Sequence, residues 1–365
     1  MFKRLTIVFL AFLLAFSNFF YLSANAQSNS LVRDLSKHAQ HKPDLNIEEL
    51  EQTVDPEEKV RVIVELEEEA PIQVATKRGV MYDDLSKAEK TRLERAVLAQ
   101  QKRVKDNIRR QNIEMTELQE FTTVINGFSL EVKYADIEKI EKIRDVSGVF
   151  IVNEYDRPEV KPEMVHSKEL VEAQQAWRDY GFKGEGMVVG VIDSGVDPSH
   201  RDMVLSDNET GKLTEEYVNE VVESENLPGK FYTEKVPYGY NYMDENDEIR
   251  EIHAEADYHG MHVAGTVAAN GDEDEGGILG IAPEAQILAL KVFGNDPEVQ
   301  TTWGDIYIKA IDDAIKLGAD VLNMSLGAPS GYVDPESPEQ QAVTRAVENG
   351  VLMSISAGNS AIFGD

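Results

Sequence analysis

At 365 residues the chain exceeds the roughly 100 to 200 residues of an ordinary single domain, so at least two folded units with extensions are expected. A hydrophobic content of 42% and an aromatic content of 8% exclude a wholly disordered or collagen-like polymer, and the absence of cysteine excludes disulfides, thiolate metal sites and cysteine nucleophiles. With 36 Lys and Arg against 67 Asp and Glu the net charge is −31, which repels phosphate backbones, so nucleic acid is not an expected partner.

Lys3 and Arg4 precede an uncharged run from Leu5 to Leu22, followed by Ser23-Ala24-Asn25-Ala26. The pattern predicts an export signal over 1–26, cut after Ala26, hence a secreted protein with no transmembrane segment after signal removal. A membrane anchor is the alternative reading, because the run approaches the roughly 18 residues of a spanning helix. Residues 27–57 are polar, acidic and aperiodic, and read as a leader.

From 58 to 157 the pattern becomes compact. Val60 to Leu66 has the β-branched enrichment of a strand. Leu85 to Leu118 is rich in helix formers, and Leu93, Val97, Val104, Ile108 and Met115 fall on one face of a long amphipathic helix. Strands are expected at Phe121 to Ile125, Gly127 to Val132 and Val146 to Val152, with a short helix from Ala135 to Ile143. The order strand, helix, strand, strand, helix, strand is the split βαβ pattern of a ferredoxin-like α+β domain.

Residues 158–180 open on Pro-Glu-Val-Lys-Pro-Glu and read as a linker; from 181 to 365 the pattern is α/β. Met187 to Ile192 is a continuous apolar run, the mark of a strand covered on both faces of a parallel sheet. Further strands are expected at Gln286 to Val292, Val321 to Met324 and Val351 to Ser356, separated by helices at His262 to Ala269, Trp303 to Leu317 and Pro338 to Asn349. Residues 207–257 hold fifteen acidic against four basic side chains and read as a solvated insertion.

Three stretches carry chemistry. Asp193 stands at the end of the first buried strand, at the carboxyl edge where open α/β sheets place ligands, although an Asp-Ser-Gly also caps turns. His259 precedes a helix, and the small residues Gly260, Ala264, Gly265 and Ala268 there permit close approach; His253 and Asp257 complete no standard zinc spacing. Asn359 ends a buried strand in a small-residue turn, where it can cap the turn or donate to an oxyanion. An acid, an imidazole and an amide donor on one sheet are what serine-based acyl transfer requires besides the serine.

Val189 to Asp197, His259 to Thr266, Leu322 to Gly327 and Ser356 to Asn359 resemble the subtilisin family of serine proteases, in the family's chain order. The resemblance implies a partial subtilisin-like parallel sheet with helices on both faces, catalytic roles for Asp193 and His259, an oxyanion role for Asn359, and substrate contact at Ser325, Leu326 and Gly327. It also implies protein or peptide substrates, and an inhibitory propeptide in the ferredoxin-like unit, released by cleavage between about Asn153 and Val165. The His-Gly-Met-His form at His259 to His262, Phe231 to Tyr242, and Gly280 to Gln286 are similar to the cell-envelope proteinase branch, the lactocepins. No cofactor is required for such chemistry. Asp272 and Asp274 lie where many subtilisins carry a calcium loop, but such charge runs are also simply solvated.

The family's Gly-Thr-Ser-Met-Ala segment, which carries the nucleophile, does not occur in the 365 residues. The chain is therefore expected to be inactive by itself, as the front part of a secreted endopeptidase precursor. The alternative is a noncatalytic fragment that inhibits or chaperones a related protease. A dinucleotide-binding reading fails because Gly184, Gly186 and Gly190 precede and enter the strand instead of following it.

Overall fold

A computed structural model describes residues 55–158, 167–206, 211–253, 255–327 and 334–358. The expected signal, nearly all of the leader and Asn359 lie outside the described residues. Residues 56–365 form one unit, described here by itself.

Its first half runs β1 (Lys59–Leu66), α1 (Pro71–Lys77), α2 (Lys87–Arg110), β2 (Met115–Phe121), β3 (Gly127–Lys133), α3 (Ile137–Glu141), β4 (Val146–Ile151) and β5 (Glu154–Asp156). The first four strands form one sheet in the order β2-β3-β1-β4 with antiparallel neighbours, the ferredoxin-like arrangement. Alternation along β1 decides what each face covers. Val62, Val64 and Leu66 pack with Val104 and Ile108 of α2 and Ile140 of α3, whereas Ile63 points the other way with Phe121, Val124 and Ile125.

Helix α2 starts at a capping box, in which Ser86 Oγ accepts the Glu89 amide and the Glu89 carboxylate accepts the Ser86 amide. It ends at Arg110 because Asn112 adopts a left-handed φ of 57° that breaks the helical path. The expected helix over Leu85 to Leu118 is therefore too long. Met115, read as its last face residue, begins β2, and the strand expected at Phe121 to Ile125 lies earlier, at Met115–Phe121.

The second half runs α4 (Ser167–Leu170), α5 (Ala173–Tyr180), β6 (Val188–Asp193), α6 (Glu215–Ser224), β7 (Tyr238–Asn241), α7 (His259–Ala268), β8 (Gln286–Lys291), β9 (Thr301–Trp303), α8 (Gly304–Lys316), β10 (Val321–Met324), α9 (Pro338–Glu348) and β11 (Leu352–Ile355). Five strands form a wholly parallel sheet in the order β11-β10-β6-β8-β7. Val189, Val191, Ile287 and Ala289 face Ala264 and Ala268 of α7; Val188, Ile192, Leu288 and Leu290 face Ile308, Ile311 and Ile315 of α8. With both faces covered, β6 and β8 read as unbroken apolar runs.

The acidic stretch 207–257 is not simply a solvated insertion. Val218, Leu227, Val236, Tyr238, Tyr242 and Ile249 are buried, and β7 is an edge strand of the parallel sheet. Its average charge hides a sparse apolar pattern, and one of its acids, Glu251, is itself buried.

The two halves meet on α8. Asp312, with no exposed surface, accepts the backbone amides of Thr122 at 3.3 Å, Thr123 at 2.7 Å and Val124 at 2.7 Å. About two turns earlier, Asp305 pairs with Arg61 at 2.8 Å and accepts the Ser129 hydroxyl. Beyond the four-stranded sheet the chain crosses to the second half as β5, which pairs antiparallel with β9, and Asp156 forms a further antiparallel bridge with Gly327.

Candidate active site

Asp193 is the last residue of β6, 1% exposed, and His259 is the first residue of α7. The imidazole Nδ1 lies 2.7 Å from Asp193 Oδ1, so the structure brings together the two residues on which the sequence reading depends. A carboxylate only accepts, so Nδ1 carries the proton and donates, leaving Nε2 as the lone-pair nitrogen. Burial works against the charged imidazole, but the hydrogen bond and negative charge of Asp193, with smaller contributions from Asp257 and Glu251, outweigh it and raise the His259 pKa above its ordinary value.

The sequence shapes this contact through its small residues. A Cβ at Gly260 would lie 2.6 Å from the backbone N and O of Gly195 and 3.1 Å from Asp193 Cβ, so the close approach of α7 to the β6 turn needs glycine. Replacing Gly260 by alanine is expected to push the helix start off the turn, to lengthen the His259 to Asp193 bond, and to cost about 1–3 kcal/mol. Urea denaturation and the downfield Nδ1 proton resonance measure the two effects; an unaltered resonance would contradict the crowding.

Beneath the pair lies a buried polar layer. Ser194 is fully buried; its Oγ donates to Glu251 Oε2 at 2.8 Å and accepts the Gly260 amide at 2.9 Å, while Lys291 Nζ donates to its carbonyl. Burial pulls the Lys291 ammonium down to about 8, partly opposed by the Glu251 charge. Glu251 Oε1 also accepts from Arg157 Nη1 at 2.6 Å and lies 3.0 Å from His253 Nε2.

Ser325, Leu326 and Gly327 follow β10, which runs parallel to β6 with Met324 beside Ile192, so they leave the sheet next to Asp193. Ser325 Oγ accepts from Asn323 Nδ2 at 3.0 Å. The Leu326 side chain belongs to the core and its carbonyl accepts Ser356 Oγ at 2.8 Å, so only its backbone borders the cleft. Gly327 carries the bridge to Asp156. Asn359 is outside the described residues, though the chain leading to it passes Gly327, with Gly358 Cα 3.8 Å from where a Gly327 Cβ would stand.

Asp272 and Asp274 are placed away from these groups, on an exposed turn where Asp272 Oδ1 caps the Asp274 amide at 2.9 Å. Among the described residues no group of three or more His, Cys, Asp or Glu side chains could hold a metal ion. The neighbours absent from the sequence reading are Glu251, Lys291, β9 and the seating of Arg157. Their only signals were a lone cation closing a strand and a polar Glu-Ile-His step inside an acidic stretch.

Residues 184–364 match the Subtilase family. The chain is 41% identical over 293 residues to the PI-type proteinase of Lactococcus lactis subsp. cremoris, covering 80% of this chain and 15% of that protein. It is 31% identical over 258 residues to the minor extracellular protease Vpr of Bacillus subtilis (strain 168), covering 66% of this chain and 27% of that one. The chain thus spans only a small part of the length of these relatives. In fold it is similar to fervidolysin from Fervidobacterium pennivorans, with a TM-score of 0.50 at 20% identity, covering 83% of this chain and 40% of that chain. Among the described residues no helix is long and apolar enough to cross a membrane. With its parallel sheet, its aspartate and histidine at the sheet's carboxyl edge, and this sequence kinship, the chain belongs to the subtilase family.

Proposed function

We propose that this chain is the front section of a secreted serine endopeptidase precursor, containing the acid and base of the triad and a prosegment seated in its own substrate cleft. The observation that carries the reading is the 2.7 Å bond between His259 Nδ1 and Asp193 Oδ1. Asp193 fixes the tautomer, Nε2 removes the proton of a serine hydroxyl, and the imidazolium formed is stabilised by the same carboxylate. Asn359 is assigned to the developing oxyanion. The strand edge at Ser325 to Gly327 is assigned to substrate backbone, which the tail pairing of Asp156 with Gly327 and of β5 with β9 supports.

The nucleophile is not among the serines near the pair. Ser194 is buried and committed to Glu251, and Ser325 Oγ already accepts from Asn323. A fluorophosphonate probe is therefore expected to leave the 365-residue chain unlabelled, and intact-mass spectrometry checks it. Stoichiometric labelling at any serine would remove the assignment. Proteins and peptides are the proposed substrates, by the chemistry of acyl transfer and the backbone-pairing edge.

A further inference from the structure

The side chain of Arg157, directly after β5, enters a pocket made by two separate segments. Nη1 lies 2.6 Å from Glu251 Oε1 and 2.7 Å from His253 Nε2, and Nη2 donates to the Gly294 carbonyl at 2.7 Å. The guanidinium carbon sits 5.5 Å from the centre of the buried Phe293 ring. The side chains of Arg157, Glu251 and His253 are 6%, 1% and 2% exposed. Guanidinium only donates, so His253 Nε2 accepts from it and the imidazole proton sits on Nδ1.

The pocket has its own supports. Glu251 Oε2 is bonded to Ser194 Oγ, and that hydroxyl accepts the Gly260 amide at the start of the catalytic helix, so the carboxylate stays in place whether or not a cation is seated. Its acceptors point in two directions, toward the Glu251 and His253 pair and toward the Gly294 carbonyl. A planar fork satisfies both, whereas one ammonium nitrogen reaches only one. Backbone pairing puts the cleft occupant in register, since the Arg157 amide donates to Gln300 O at 2.7 Å immediately before β9.

We propose that Glu251, His253, Phe293 and the Gly294 carbonyl form a guanidinium-specific subsite, filled by Arg157 in the precursor and taken by a substrate arginine once the tail has left. The pocket itself is independent of the protease reading, whereas its use by substrates rests on it.

The test is guanidinium rescue in the full chain, read by hydrogen exchange at the amide of residue 157. In Arg157→Ala that amide is expected to exchange about tenfold faster. Millimolar methylguanidine should restore most of the protection, methylammonium should not, and Arg157→Ala combined with Glu251→Gln should not respond. Arg157→Lys should fall between wild type and Arg157→Ala, which keeps the comparison alive if the alanine variant folds poorly. Unchanged exchange in Arg157→Ala, or equal rescue by both cations, would overturn the proposal. Profiling the complete protein against a peptide library separates the two layers. Cleavage enriched for arginine at the position aligned with Arg157 supports the substrate role, and cleavage without that enrichment overturns it. No cleavage of any peptide counts against the protease reading alone, with the rescue still deciding the pocket.

Discussion

Replacing Asp312 by alanine is expected to lower the unfolding free energy by about 3–5 kcal/mol, the range for removing one partner from a buried charged network. Three backbone amides, of Thr122, Thr123 and Val124, converge on this one carboxylate. Each loses its acceptor where water does not reach, at about 1–3 kcal/mol apiece, and relief from burying the carboxylate offsets part of the sum. Lys316, 3.7 Å from Asp312, keeps Thr122 Oγ1 at 2.7 Å and Glu94 at 3.5 Å, so its charge is not stranded. Asparagine should restore the larger part, because its Oδ1 can still accept from Thr123 and Val124, and its amide group opposes a donor only at Thr122 and Lys316. Urea denaturation of the 365-residue chain measures the change, with Asp296→Ala, on an exposed loop, as the surface control. A shift below about 1 kcal/mol would mean that the amides find other acceptors.

The second large effect is at Asp193. Asp193→Asn preserves shape but presents an amide to Nδ1, favours the wrong tautomer, and on the proposed protease reading is expected to reduce peptide hydrolysis, in a form that carries the serine, about 10⁴-fold. The 365-residue chain gives an independent readout. The His259 pKa is raised because Asp193 outweighs burial, so without that charge burial prevails and the titration midpoint should fall, as followed by imidazole NMR. The sign for stability follows: with its raised folded-state pKa, wild-type His259 contributes stability that is present below the unfolded value of about 6.5 and lost as pH rises through the folded value. In Asp193→Asn this contribution should vanish or reverse. A midpoint unchanged by the substitution would detach the acid from the base.

The parts of the fold visible in the sequence were those with local causes. Strand β6 was legible because both of its faces are covered, and α7 because Gly260, Ala264 and Ala268 let it lie against the sheet. Val97, Val104 and Ile108 marked the inner face of α2 correctly, but not its end, which depends on one left-handed residue, Asn112. Elements made by distant partners were not legible. Thr301 to Trp303 is a strand only because the β5 tail lies beside it, and Glu251 meets Arg157 across 94 residues of sequence. The Asp193 and His259 pair was readable through motifs that resemble the subtilisin family, whereas the buried layer that supports it lay inside a stretch whose mean charge suggested solvent.

The tail that ends in β5 belongs to the same chain as the edge it covers, so its occupancy does not depend on protein concentration. A short tether holds a ligand at an effective concentration on the order of millimolar, far above that of any free peptide competing for the same edge. On the proposed precursor reading, cutting the backbone after Arg157 converts this unimolecular occupancy into a bimolecular equilibrium. From then on dilution alone favours departure, and a single scission acts as a switch whose threshold is set by how much of the severed piece remains nearby.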